Sequence, residues 1–320
     1  GSRFHRLCVT ATVALNNTGD WTWGRFEANE FILNASLDPD NVLRVLPLQL
    51  TSEETVYDFR GQFALDTQLP SGQLRVKNIR LERLQDELEN FVDLPNIDVN
   101  GQLNFRANIA GSLANPQATG EFTVVEGSFN AEPIKEARGS FSYNNARLFL
   151  GSNILLTEKD PIRIKAQVPY RLPFAEVSPE SNQLRVQVDI QNEGLNIINL
   201  LNPEISWVQG TGLVELNING ILQQDSEGDI EQISIQPEGL LKIQDGILSV
   251  ESLKQSIVGL SGSATFVGDR IRVNGIQGEL VGEAGTGNIL VQGILPLILP
   301  LADEDPDAGN PLRIQLENLK

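Results

Sequence analysis

The segment VQGTGLVELNING (208–220) puts Val214, Leu216 and Ile218 on one side of an extended chain and Glu215, Asn217 and Asn219 on the other. A period of two is the signature of a β-strand with one apolar and one solvated face. This alternation recurs over almost the whole sequence and limits the possible folds more than any other feature. In QLRVQVDIQ (183–191), Leu184, Val186, Val188 and Ile190 alternate with Arg185, Gln187 and Asp189. LRVKNI (74–79), FRGQFALD (59–66), IRIKAQV (162–168) and LRIQLE (312–317) obey the same rule. Clusters of Gly, Asn, Asp and Pro separate the runs, which predicts antiparallel strands joined by turns, roughly 20–25 of them.

Two stretches carry a helical period instead. In IRLERLQDELENFV (79–92), Leu81, Leu84, Leu88 and Phe91 share a stripe; in GLNIINLLN (194–202), Leu195, Ile198 and Leu201 do. Two short helices cannot cover so many strands. Each apolar side chain left in water forgoes roughly 1.5–3 kcal/mol. For Phe105, Ile109, Leu184, Val186, Val188, Ile190, Val214, Leu216 and Ile218 together that approaches ~15–25 kcal/mol, against a typical domain stability of ~5–15 kcal/mol. Their cover must come from another stretch of sheet or from a molecule outside this sequence. A sheet folded along its length satisfies the requirement. The expected fold is therefore all-β: an elongated antiparallel β-taco, or half-pipe, with a hydrophobic groove. By strand parity Phe105, Ile109, Phe122, Val124, Leu184, Val186, Val188, Ile190, Val214, Leu216, Ile218, Leu241 and Ile243 line that groove.

An internal repeat underlies the pattern. VNGQLNFRANIAG (99–111) aligns with VQGTGLVELNING (208–220), with Phe105, Ala107 and Ile109 falling on Val214, Leu216 and Ile218. GEFTVVEGSF (120–129) then aligns with GLLKIQDGIL (239–248), so the second copy has gained residues around LQQDSEGDIEQ, which reads as a polar surface loop. GSFSYNNARLFL (139–150) meets GSATFVGDRIRV (262–273), and Leu88, Asn90 and Phe91 meet Ile197, Asn199 and Leu200. The unit is one short helix followed by about five strands. Residues 1–78 read as strands completing a preceding repeat, 79–192 as one unit, and 193–320 as a second unit and the start of another.

Composition narrows the function. With 24 Lys+Arg against 42 Asp+Glu, the net charge is −18, which repels phosphate backbones and anionic headgroups and argues against nucleic acid as a partner. Cys8 is the only cysteine, so neither an intrachain disulfide nor a cysteine zinc site is available. There is no methionine even at position 1, and the chain opens Gly1-Ser2, so a piece of a longer protein is expected. No apolar run approaches the ~18–20 residues of a spanning helix; GILPLILPLA (293–302) is broken by Pro296 and Pro300. Any membrane anchor is expected outside this sequence.

Residues that could carry chemistry read better as structure. His5 is the sole histidine and lies near the terminus, where a base positioned for nucleophilic catalysis is not expected. Asp303, Asp305 and Asp307 in DEDPDAGN (303–310) resemble the start of a calcium loop, but Ile314 stands where a bidentate glutamate belongs. GEAGTG (282–287) lacks the strand–loop–helix order of a phosphate loop. Asn16 and Asn34 head glycosylation-type triplets, and Trp21 with Trp23 suits strand packing. The sequence predicts no enzyme, no cofactor and no metal.

The glycine-bounded strands PEGLLKIQDGIL (237–248) and GLSGSATFVGDRIRVNGIQGELVGEAGTGNILVQG (259–293) resemble the repeats of the TamB and AsmA-like family of bridge-type lipid-transfer proteins. The similarity extends over about residues 80–290 and rests on glycine placement and alternation. It implies a segment of a bridge whose groove conducts phospholipid, or another acyl-chain lipid, between inner and outer membranes in outer-membrane biogenesis. It further implies a periplasmic location, or the chloroplast intermembrane space, with an inner-membrane anchor elsewhere in the protein. The implied partners are a TamA-like β-barrel assembly protein and the rest of the same chain at both ends. The alternative is a scaffold or chaperone that offers a sheet edge to client strands during β-barrel assembly or protein translocation.

Overall fold

The computed structural model describes residues 11–23, 26–83, 98–130, 132–201, 205–225, 230–251, 254–282, 285–296 and 313–317. Among them runs one 18-stranded sheet. Its first half comprises β1 (Ala11–Trp23), β2 (Phe26–Leu37), β3 (Val42–Ser52), β4 (Thr55–Ala64), β5 (Leu69–Arg80), β6 (Val99–Gly111), β7 (Pro116–Phe129), β8 (Glu132–Pro133) and β9 (Glu136–Asn144). The second comprises β10 (Arg147–Leu155), β11 (Ile162–Pro169), β12 (Gln183–Gln191), β13 (Ile205–Gln224), β14 (Ile230–Val250), β15 (Gln255–Val267), β16 (Arg270–Gly282), β17 (Gly285–Pro296) and β18 (Arg313–Glu317). With β8 set aside, each strand pairs antiparallel with the next, so the sheet is a single meander. Strand β8 is a two-residue stub on the end of β7, which otherwise pairs with β9. Short hairpin connections suffice for such a sheet, and the sequence supplies them with its Gly, Asn and Asp clusters.

A meander sends alternate connections to opposite rims. Both helical segments fall on one rim: residues 81–83 after β5, and a 3-10 turn (Asn192–Asn196) running into an α-helix (Ile197–Leu201) after β12. Among the described residues, the other rim carries tight turns and one long loop, residues 170–182. The expected first helix starts later than its periodicity predicts. Ile79 and Arg80 are still strand, paired with Leu103 and Gln102, because a β-branched Ile opposite Leu adds to the sheet's apolar face. Leu84, Leu88 and Phe91 lie outside the described residues, as do His5, Cys8 and DEDPDAGN. The polar insertion of the second repeat is also more than a loop: Leu222 pairs with Ile233 and Gln223 with Gln232. Alternation continues through Leu222, Ile233 and Ile235, and it lengthens the hairpin.

The repeat is visible in backbone conformation. Gly101 (φ +134°) and Gly210 (φ +130°) both sit at register shifts, opposite Glu126 (φ +54°) with Gly127 and Asp245 (φ +51°) with Gly246. A Cβ on Gly101 would lie 2.9 Å from the Gly127 Cα, and one on Gly210 2.6 Å from the Gly246 Cα. Two bulges thus repeat with the sequence offset and bend the sheet at equivalent places. Matched cross-strand pairs repeat too: Phe105 with Phe122 corresponds to Val214 with Leu241, and Ile109 with Ala118 to Ile218 with Pro237. The next strand does not keep step. Gly139 faces Phe122, whereas Gly262 faces Ile243 rather than Leu241. A slip of two residues leaves every side chain on its original face, so the alternation does not oppose it.

Gly210→Ala is expected to destabilise the chain by more than about 2 kcal/mol, since it combines a forbidden φ with backbone overlap. Chemical denaturation checks this, with Gly268→Ala as the milder comparison, at φ +59° with open space around it.

Candidate functional site

Strand parity separates two faces. On β12 and β13, Leu184, Val186, Val188, Val214, Leu216 and Ile218 are half-buried and Ile190 is buried, while Arg185, Gln187, Glu215, Asn217 and Asn219 are exposed. Phe105, Ile109, Phe122, Val124 and Leu241 are also half-buried, and Ile243 is buried. The polar face carries exposed ion pairs such as Arg60–Asp58 and Arg138–Glu136, each contributing at most ~1 kcal/mol.

Register joins these residues into rows across the sheet. Starting at Phe31, the central row passes through Leu50, Tyr57, Val76, Phe105, Phe122, Gly139, Ser152, Ile164, Val188, Leu216, Gly239, Phe266 and Ile271 to Leu295. It runs from β2 to β17. Ser152 and the Tyr57 hydroxyl are its only polar side-chain groups, and the Phe122 ring lies so close over Gly139 that a Cβ there would overlap it. Phe105 in turn meets Phe141 edge-on, with ring centroids 6.1 Å apart. Glycine beside an overlying aromatic ring keeps the surface apolar where a side chain is missing.

At one place the apolar face is roofed. Leu195 of the 3-10 turn is 1% exposed and clusters with Ile162, Ile190, Trp207, Ile243 and Leu260. Ile197, Ile198, Val188, Val214 and Leu241 pack around that cluster. Leu195 lies over Gly212, where a Cβ would collide with it. The insert is pinned by polar bonds: the Trp207 N–H donates to Asn199 Oδ1 at 2.5 Å and Asn130 Nδ2 donates to the Leu200 carbonyl at 2.5 Å. Thr157 Oγ1 donates to Glu193 Oε2 at 2.7 Å. Packing of Ile198 onto the sheet agrees with the sequence reading; the side chain of Leu201 lies outside what is described. Leu195→Ala is expected to cost about 2–5 kcal/mol, as large-to-small core changes do, measurable as a lowered denaturation midpoint.

The opposite rim holds the 170–182 loop as a strap. The Arg171 N–H donates to Gln224 Oε1 at 2.7 Å, Gln224 Nε2 returns a bond to the Arg171 carbonyl, and the Glu176 and Val177 N–H groups donate to the Ala114 carbonyl. Tyr143, on the apolar face of β9, donates its hydroxyl to the Tyr170 carbonyl at 3.1 Å and accepts the Leu172 N–H. Burial pushes the Tyr143 phenol above its usual range, outweighing the Leu172 bond that lowers it. The strap thus spans from β13 back to the β6–β7 turn. Nothing in the alternation announces it; only the break between β11 and β12 marks its place.

Among the described residues, no group of His, Cys, Asp and Glu is arranged to hold a metal ion, and no helix is long and apolar enough to cross a membrane. Comparison with protein-family models, with curated proteins and with solved structures gave no match to this chain. The described residues define an all-β fold built on one long antiparallel sheet with two short helical segments.

Proposed function

We propose that this chain is a stretch of a bridge-type lipid-transfer protein, similar to the TamB and AsmA-like family. Its apolar sheet face forms the floor of a groove through which phospholipid acyl chains pass between membranes. The observation that carries this reading is the apolar row from Phe31 to Leu295, which among the described residues is roofed only around the helical insert and the strap. Half-buried Val, Leu, Ile and Phe in such numbers call for a partner as apolar as themselves. Hydrocarbon meets that need without hydrogen bonds. Along the row, strands ~4.8 Å apart from β2 to β17 cover about 65–70 Å. In this reading the segment lies in a periplasm-like space between two membranes, joined at both ends to the rest of its protein, with an outer-membrane β-barrel assembly protein as partner.

The second reading, a scaffold for client β-strands, is favoured by the sheet's ends. Among the described residues, β1 pairs only with β2 and β18 only with β17, which leaves an open edge at each end. Native mass spectrometry of the purified chain, followed by lipid extraction, separates the two. Bound phospholipid is expected under the conduit. A lipid-free chain that instead captures β-strand peptides would favour the scaffold.

A further inference from the structure

The helical insert and the strap occupy opposite rims of the same strands, and together they leave little of the floor open. The insert's cluster includes Ile162 and Ile164 of β11 and Ile190 and Val188 of β12, but neither Ala166 nor Val186. From the other rim the strap reaches inward to the Tyr143 hydroxyl. Tyr143 pairs with Leu148, and Leu148 with Val168, so these form the outermost row on that side. Between them lies a single row, in which Leu150 faces Ala166 and Ala166 faces Val186.

We infer that β9 to β13 form a single-file constriction of the proposed lipid path, with Ala166 as the floor residue that sets its bore for one extended acyl chain. The inference rests on the conduit reading and sharpens it. Same-face rows on a strand lie about 7 Å apart, twice the rise per residue. A helix is ~10–12 Å across, and a second sheet packs at ~10 Å. A helix or a second sheet therefore does not fit the remaining width, whereas one hydrocarbon chain does. Ala166 is the smallest side chain of its stretch, flanked by Leu150 and Val186, so clearance is greatest above it. A bulkier residue there would obstruct the path without touching the insert's cluster or the strap's bonds.

The test holds the chain between donor vesicles at its N-terminus and acceptor vesicles at its C-terminus. The vesicles are phosphatidylethanolamine and phosphatidylglycerol, with a fluorescent-acyl phosphatidylethanolamine as tracer. Ala166→Phe is expected to slow transfer at least about tenfold. Leu48→Phe, on the same row but far from the insert and strap, should leave the rate within about twofold. A folding-independent arm uses Ala166→Cys with Cys8→Ser, modified after folding with thiol reagents of increasing size; transfer should fall as the adduct grows. Unchanged transfer with the largest adduct, while Ile218→Asp still blocks, would overturn the constriction and leave the conduit standing. If the unsubstituted chain transfers no lipid, the conduit reading fails and the constriction with it.

Discussion

Ile243→Asp is expected to leave this chain unfolded or aggregated, whereas Ile218→Asp is expected to leave it folded. Both residues are β-branched, mid-strand and on the apolar face, and they lie on adjacent strands. Their surroundings differ. Ile243 is 8% exposed, pairs with Gly212 beneath Leu195 and belongs to the closed cluster under the insert. A carboxylate there would be buried among the apolar side chains of that cluster, at a cost that rivals a whole-domain stability of ~5–15 kcal/mol. Ile218 is half-buried, lies outside the cluster and faces Val186 and Pro237. A carboxylate at that position keeps part of its hydration, so the loss should be about 1–3 kcal/mol, within the usual range for single substitutions. Circular dichroism and urea denaturation decide it. If Ile218→Asp also unfolds the chain, the apolar face is a dry core throughout and the conduit loses its physical basis. If Ile243→Asp folds normally, the insert does not seal the sheet as its packing indicates.

The second large effect concerns lipid rather than folding. Under the proposed conduit, the folded chain with Ile218→Asp or Val186→Asp is expected to carry far less phospholipid than the unsubstituted chain. The full-length protein should fail to complement its deletion. An acyl chain crossing a hydrated carboxylate must strip its water or leave the floor, and a barrier of ~2–3 kcal/mol slows passage roughly 30- to 150-fold. Asn217→Asp and Gln187→Glu add the same charge one residue away on the exposed face, and both should retain lipid and function. Equal loss from both faces would point to net charge, already −18, rather than to a path along the apolar rows.

Much of this sheet could be read from the alternation itself. A period of two fixes which residues share a face, and that survives both the longer hairpin at Leu222–Ile233 and the two-residue slip at Gly262, because neither changes parity. The repeated bulges were foreshadowed by matched glycines at 101 and 210 and by the Glu126-Gly127 and Asp245-Gly246 dipeptides. The described residues hold 18 strands, several of them longer than the turn-like clusters suggest, because clusters such as Gly210 and Gly246 are bulges within long strands. The helix expected from Ile79 begins after Arg80, because periodicity cannot say where cross-strand pairing ends. The roof over the sheet was partly legible. The stripe of Leu195 and Ile198 announced a packed helix, but its seat on Gly212 and its tie to Asn130 join residues far apart in sequence. The strap was not legible at all. Its anchors, Gln224, Ala114 and Tyr143, belong to three different strands or turns, and no local pattern links them.

Photocrosslinking along β13 tests the central claim most directly. A benzophenone amino acid placed in turn at 214 to 219, in cells and with the purified chain, reports which side chains touch lipid. The account predicts phospholipid adducts from 216 and 218, weaker adducts from 214 beside the insert, and none from 215, 217 or 219. Adducts that ignore parity, or no lipid adducts at any position, would contradict it.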